Sequence, residues 1–280
     1  MTDNEENSEE TPSIPSGKVK DVIDATTGLV KAIPVYEDAV QPAAKQVGKA
    51  LETVTKAVNV ALAPLSLLVW GYDKIQEFID NSVAKKLENI PEERIQTPDP
   101  HIAGPALEAL KYTGENESLR EMFANLIANT MDSETAKKSH PAFVDIIKSM
   151  TSDEAKILKV FFPGIYKPIM DLKRKMKKGD KGEHNILDNY SAIGKEAGCE
   201  HLDLVPNYID NLCRLGLLIM PSGRSLVGKS SYYILTETDE YKAFKAKHES
   251  EYTTTVEIKK YIELTNLGGQ FRQACVVKKK

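Results

Sequence analysis

Ser118-Leu-Arg-Glu-Met-Phe-Ala-Asn-Leu-Ile-Ala-Asn-Thr-Met131 decides the fold of this chain. Its apolar side chains fall at Leu119, Met122, Phe123, Leu126, Ile127 and Met131, the three-and-four spacing of one helical face. Ser118 and Glu121 stand in capping-box register and place the start of the helix at Ser118. A stripe so continuous must be buried, and its neighbours supply partners. Pro105-Ala-Leu-Glu-Ala-Leu110 precedes it, and Phe143, Ile146, Ile147 and Met150 come after it, then Ile157, Leu158, Phe161 and Phe162. The stretch contains no catalytic grouping. It specifies a scaffold and says little about chemistry.

Composition sets the bounds. The chain has 280 residues, 41% hydrophobic and 28% charged, ordinary values for a globular protein. A net charge of −4 argues against a surface given over to nucleic acid, though it leaves room for a local basic patch. Cys199, Cys213 and Cys275 show no close pairing, which suits a reducing compartment. The N-terminus is acidic where a secretory leader would be basic. The longest charge-free run, Ala57 to Tyr72, is shorter than the ~20 residues that span a bilayer, and Asn59, Pro64 and Ser66 interrupt it. It lacks the charged face of an interfacial helix and reads as a core helix kinked at Pro64. These features predict a cytoplasmic protein with no membrane span.

The chain divides into three segments: a disordered acidic leader at 1–17, a helical domain at 18–150 and a winged-helix-like domain at 151–280. Helical spacing appears from Lys18 to Ile33, from Gln41 to Pro64 and from Asp73 to Asn89. Four prolines between Ile90 and Pro105 break any continuous helix, with Pro105 expected in the first turn of the next one. Pro141 marks another start, and Thr151 with Glu154 forms a second capping box. Further on, Lys173 to Lys181 reads as an exposed loop or frayed helix end. Asn189 to Ala197 and Leu204 to Leu215 read as helices ended by Gly198 and Gly216. Leu217–Met220, Ser231–Thr236 and Tyr261–Thr265 read as strands, with a closing helix from Leu267 to Val276. The predicted fold is mainly α, a helical bundle and then a winged-helix-like α+β part.

Several runs resemble the abortive-infection alpha family of bacteria. They are Pro42-Ala-Ala-Lys-Gln-Val-Gly-Lys49, Asn59-Val-Ala-Leu-Ala-Pro64 and Trp70-Gly-Tyr-Asp-Lys74, then Asn89-Ile-Pro-Glu-Glu93 and Ile102-Ala-Gly-Pro-Ala-Leu107. Leu119-Arg-Glu-Met-Phe-Ala-Asn-Leu126 and Asp153-Glu-Ala-Lys-Ile-Leu158 complete the set. The resemblance runs from Val40 towards the C-terminus and implies a mostly helical cytoplasmic protein associated with phage defence. It carries no catalytic motif across. Separately, Leu264-Thr-Asn-Leu-Gly-Gly-Gln-Phe271 is similar to the strand-to-helix ending of winged-helix domains.

The residues that could carry chemistry are few. His184, Cys199, His201 and Cys213 lack the short ligand spacing of a structural zinc site, so no metal or cofactor is expected. Cys199 precedes Glu200 and His201, but a neighbour in sequence is not a base at hydrogen-bond distance. No catalytic residue is assigned. Gly223, Gly228, Lys229 and Ser230 spell a phosphate-loop pattern, yet the apolar, aromatic Ser231–Thr236 after it reads as a strand where the motif needs a helix. The candidate nucleic-acid contacts are Lys173, Arg174, Lys175, Lys177 and Lys178, with Arg214, Arg224 and Lys229 from the winged-helix-like part. The expected function is a non-enzymatic helical interaction or sensing module in phage defence, with a protein partner or self-association. A winged-helix nucleic-acid-binding regulator and an effector enzyme with an unrecognised site are the alternatives.

Overall fold

The computed structural model describes residues 70–178 and 182–277, all within one unit that spans Pro42–Lys280. The unit Met1–Gln41, the first two expected helices and most of the Ala57–Tyr72 run lie outside the described residues.

Helix α1 (Tyr72–Phe78) passes through a π-helical turn, Ile79–Val83, into α2 (Ala84–Leu87). Helix α3 (Pro100–Thr113) starts earlier than its sequence suggested. Asp99 accepts the His101 N–H and Pro100 takes the first turn, where its missing N–H costs nothing. Pro105 therefore lies inside α3, on its exposed side.

Helix α4 (Glu117–Thr130) is the centre. Its cap is Asn116, whose side chain accepts the Leu119 N–H at 3.2 Å; Ser118 already lies within the helix, which corrects the expected capping box. From Met122 to Thr130 every residue is buried, so the helix is enclosed and has no wet face there. Around it pack α3, α5 (Ala142–Lys148) and α6 (Ser152–Lys159). The Thr151 capping box of α6 forms as expected, with Glu154 N–H to Thr151 Oγ1 at 3.3 Å and Thr151 N–H to Glu154 Oε2 at 2.6 Å.

The polar side of α4 meets the π-helical turn Arg272–Val276, which follows directly on α11 (Asn266–Phe271). The last carbonyls of a helix have no partner within it. Here Asn125 Nδ2 donates to the Cys275 carbonyl and Asn129 Nδ2 to the Ala274 carbonyl, both at 2.9 Å. One core runs through all these elements, from Trp70 to Cys275.

A four-stranded antiparallel sheet in the order β2-β1-β4-β3 flanks the helices. It comprises β1 (Lys167–Met176), β2 (His184–Tyr190), β3 (Leu218–Ile219) and β4 (Thr253–Leu264). Ile169 and Met170 point to opposite faces, and both are fully buried. Ile169 joins the main core, while Met170 and Leu172 join Tyr232, Leu235 and Tyr241 beneath α9 (Tyr233–Thr236) and α10 (Asp239–His248). Between β2 and β3 lie α7 (Ile193–Ala197), ended by Gly198 at φ 68°, and α8 (Val205–Arg214).

Three sequence expectations fail here. The basic run opens as strand, from Lys173 to Met176, because it continues β1, whose Ile169 on one face and Met170 and Leu172 on the other are fully buried. Asn189 and Tyr190 belong to β2, so the helix there starts only at Ile193. Ser231–Thr236 is helical, as a 3-10 turn Lys229–Tyr232 leading into α9; tertiary burial of Tyr232 and Leu235 overrides their strand propensity. With no strand at Ser231–Thr236, β3 pairs with β4.

Gly268 supplies a sharp test of how α11 sits. A Cβ there would lie 2.0 Å from the Leu217 carbonyl oxygen, whereas one at Gly269 meets nothing within 4 Å. Gly268→Ala should destabilise by about 1–3 kcal/mol through forced displacement of backbone. Gly269→Ala should be neutral or slightly stabilising, because alanine favours the helix. Equal midpoints in urea would disprove the close approach.

Candidate interaction surface

A basic run in a loop could present all its charges to one ligand. In a strand it cannot, because successive side chains alternate between faces. Lys173 and Lys175 share one face of β1 and Arg174 takes the other, opposite Thr255 on β4 and His184 on β2. Glu183 lies 3.7 Å from Lys173 and 3.4 Å from Lys175 and offsets part of their charge. Lys177 Nζ donates to the Ser250 carbonyl at 2.8 Å, and Lys178 is exposed just beyond the strand. Arg214, Arg224 and Lys229 belong to other elements: α8, the turn after β3, and the 3-10 turn that precedes α9. The fold thus gathers five of the eight basic residues on one ribbon, divided between its two faces.

Helix α8 presents Asn207, Asp210, Asn211 and Arg214 away from its buried Val205, Tyr208, Ile209 and Leu212. Most of these polar groups are already engaged. Asn211 Nδ2 reaches Glu154 Oε1 at 2.6 Å and the Ser149 carbonyl at 3.0 Å, and its Oδ1 accepts both Arg214 Nε and an Arg214 terminal nitrogen at 2.9 and 2.7 Å. Asp210 accepts from Asn189 Nδ2 at 2.8 Å.

Asn189 is the strained residue of this region. Its φ of 53° is left-handed, a conformation asparagine tolerates better than most side chains, and it sits where the β1–β2 register slips. It is 5% exposed and fully tied: its N–H donates to Asp171 Oδ1 at 2.9 Å and its Oδ1 accepts Lys260 Nζ at 2.8 Å. Lys260 also pairs with Asp171 at 2.7 Å. This knot joins β1, β2, β4 and α8. Sequence reading missed it, since its members are scattered from 171 to 260; the lone signal was an asparagine inside a strand-like run.

Asp153 anchors a second knot. Its carboxylate is 4% exposed and accepts the Glu200 N–H at 2.9 Å, the His201 N–H at 3.0 Å and Lys156 Nζ at 2.9 Å. Burial alone would push its pKa up; the hydrogen bonds from His201, Lys156 and Glu200 outweigh that and hold it down at about 2. The Cys199 thiol lies beside it, donating to the Asp153 carbonyl at 3.7 Å. Burial and the Asp153 charge push Cys199 up to about 11, and burial with Asp210 does the same to Cys213. Thiols held that high are protonated at neutral pH and poor nucleophiles. Among the described residues no three His, Cys, Asp or Glu side chains gather as metal ligands.

The phosphate-loop letters also find their geometry. The segment after Gly228 is helical, not the strand expected, but it is a 3-10 turn and a four-residue helix. The strand ahead of it is the two-residue, antiparallel β3. The Leu226 N–H of the loop is taken by the Tyr232 hydroxyl at 3.0 Å. A phosphate cradle needs several free N–H groups and a long helix aligned behind them.

Among the described residues no helix is long and apolar enough to cross a membrane. A search of curated proteins finds no match. A solved structure of an uncharacterized protein from the hydrocarbon-degrading marine bacterium Alcanivorax borkumensis SK2 is 19% identical. That likeness covers 50% of this chain and 92% of the other, and its TM-score of 0.32 is too low to bear on the fold. The sequence profile described as abortive infection alpha matches residues 71–275, from α1 through the sheet to the turn that closes over α4. This chain belongs to the abortive infection alpha family.

Proposed function

We propose that this protein acts in bacterial phage defence of the abortive-infection type, as a non-enzymatic interaction or sensing module in the cytoplasm. Family membership across residues 71–275 carries the defence half of this reading. The non-enzymatic half is supported by how the polar groups are used. Asp153, Asp171, Asn189 and Lys260 bind one another or nearby backbone, and the half-buried thiols are protonated. The test is a phage challenge of bacteria with and without the intact gene. Carriers should release fewer phage, with infected cells failing to survive; survival of infected cells with undiminished phage yield would sink the reading.

A second reading, a winged-helix nucleic-acid-binding regulator, draws support from topology. Helix α6, strand β1, helices α7 and α8, then β3 and β4 keep the winged-helix order, and β4 lies between β1 and β3. Charge counts against tight binding, because α8 offers one arginine, held by Asn211, while Asp210 lies on the helix and Asp203 just before its start. Fluorescence polarisation with duplex DNA should show weak association that falls steeply with salt, and Arg214→Ala should change it little. Tight, sequence-dependent binding that Arg214→Ala weakens would put the regulator first.

A further inference from the structure

Strand β4 has one side with little to pair to. On one side β1 pairs with it without a break from Thr253 to Ile262; on the other, β3 reaches only Glu263 and Leu264. The Thr265 N–H donates to the Leu217 carbonyl at 3.1 Å, and Ile219 lies opposite Glu263, so Glu263 and Thr265 turn their backbone groups towards β3. With no bulge in the β1–β4 register, the same alternation points the N–H and C=O of Tyr261, Lys259, Glu257 and Thr255 outward. Among the described residues these groups meet no strand. An open edge of this length is a template for another chain.

We propose that this edge pairs with the same edge of a second copy, antiparallel, about a two-fold axis at Ile258. A two-fold pair of this kind is self-complementary, and residues facing one another come from the same face of the sheet. That leaves few registers. Centring on Glu257 sets two glutamates opposite each other, and centring on Lys259 sets two lysines; both are disfavoured. Centring on Val256 places Glu257 against Thr255 and Lys259 against Thr253, with no ion pair. Centring on Ile258 places Glu257 against Lys259 twice and Ile258 against itself. The last register alone uses both charges.

Glu257 is held in place for this role. Tyr241 donates its hydroxyl to Glu257, and Lys245 lies 3.6 Å from it. Charged side chains on an edge normally repel unwanted strands. Here they repel the registers centred on Glu257 and Lys259 and attract in the one centred on Ile258. The inference deepens the interaction-module reading by naming the occupant, and it is tested without phage, so its failure leaves the defence reading standing.

The full chain is measured by light scattering after size exclusion over a wide concentration range. A mass twice the 31.1 kDa of one chain is expected at high concentration. Lys259→Glu, which sets glutamates opposite Glu257, should weaken the dimer at least tenfold, with an unchanged circular dichroism spectrum. Glu257→Lys combined with Lys259→Glu should restore it. Ile258→Cys should form a disulfide-linked dimer on mild oxidation, because directly opposed residues of this type approach to ~4.5 Å between Cα atoms, within disulfide reach. Thr254→Cys and the unaltered chain should not. A monomer at every concentration, a dimer indifferent to Lys259→Glu, or no Ile258→Cys crosslink would each overturn the proposal; if Lys259→Glu does not fold, the crosslink alone decides.

Discussion

Phe123→Ala is expected to cost about 3–5 kcal/mol of stability, the range for removing a fully buried phenylalanine. Phe123 has no exposed surface and lies in α4, within the main core. Truncation removes its transfer free energy and leaves a cavity that rigid neighbours fill poorly. The surrounding elements, α3, α5, α6 and the C-terminal turn, belong to both ends of the described chain, so the loss should unfold the whole unit in one step. Urea denaturation monitored by circular dichroism measures it. Glu117→Ala, at the exposed start of the same helix, is the control and should stay within about 0.5 kcal/mol. Matching midpoints for the two variants would refute the central placement of α4.

The second large effect is at Asp153. Its folded-state pKa, held down at about 2 against burial by the His201, Lys156 and Glu200 bonds, lies below the ordinary aspartate value of the unfolded chain. Linkage fixes the sign. A depressed carboxylate contributes stability that is fully present above the unfolded value and lost as pH falls towards the folded one. The window is therefore from about pH 4 down to about 2, and the contribution is about 2 kcal/mol. Asp153→Asn should remove that amount at pH 7 and flatten this part of the acid limb. Lys156 would lose its buried partner and keep only Glu200, which is far more exposed. A variant as stable as the unaltered chain at pH 7, or an acid limb of unchanged slope, would contradict this role for the carboxylate.

The helices were legible where a local pattern decides them. Thr151 and Glu154 form their capping box, Gly198 ends its helix in the left-handed region, and the apolar spacing of α4 and α8 matches their buried sides. What stayed hidden was set by distant partners. Asn125 and Asn129 stand off the apolar stripe, and are buried because Ala274 and Cys275 lie against them. Lys173 to Met176 read as an exposed loop or frayed helix end because nothing nearby announces β4 as its partner. The upstream half of β4, Thr253-Thr-Thr-Val-Glu-Ile258, was missed although its β-branched residues carried the signal. Of the candidate surface, the basic residues were visible and their division between two faces was not. The Asn189 and Asp153 knots depend on pairings across the fold that no spacing in the chain reveals.

The amide bonds from α4 to the Ala274 and Cys275 carbonyls also bear on the order in which the protein is made and folded. About 145 residues separate Asn129 from Ala274. During synthesis α4 leaves the ribosome long before the segment that covers its polar side, so Asn125 and Asn129 spend that interval in water. The side groups that would be costly to bury alone thus keep the helix hydrated until their carbonyl partners arrive. Joining two segments so far apart raises the contact order and slows the final step relative to helix formation, which takes about a microsecond. The nascent chain should therefore hold its helices while tertiary closure waits on residues 266–276, and a refolding experiment should show helix signal returning ahead of protection at Asn125.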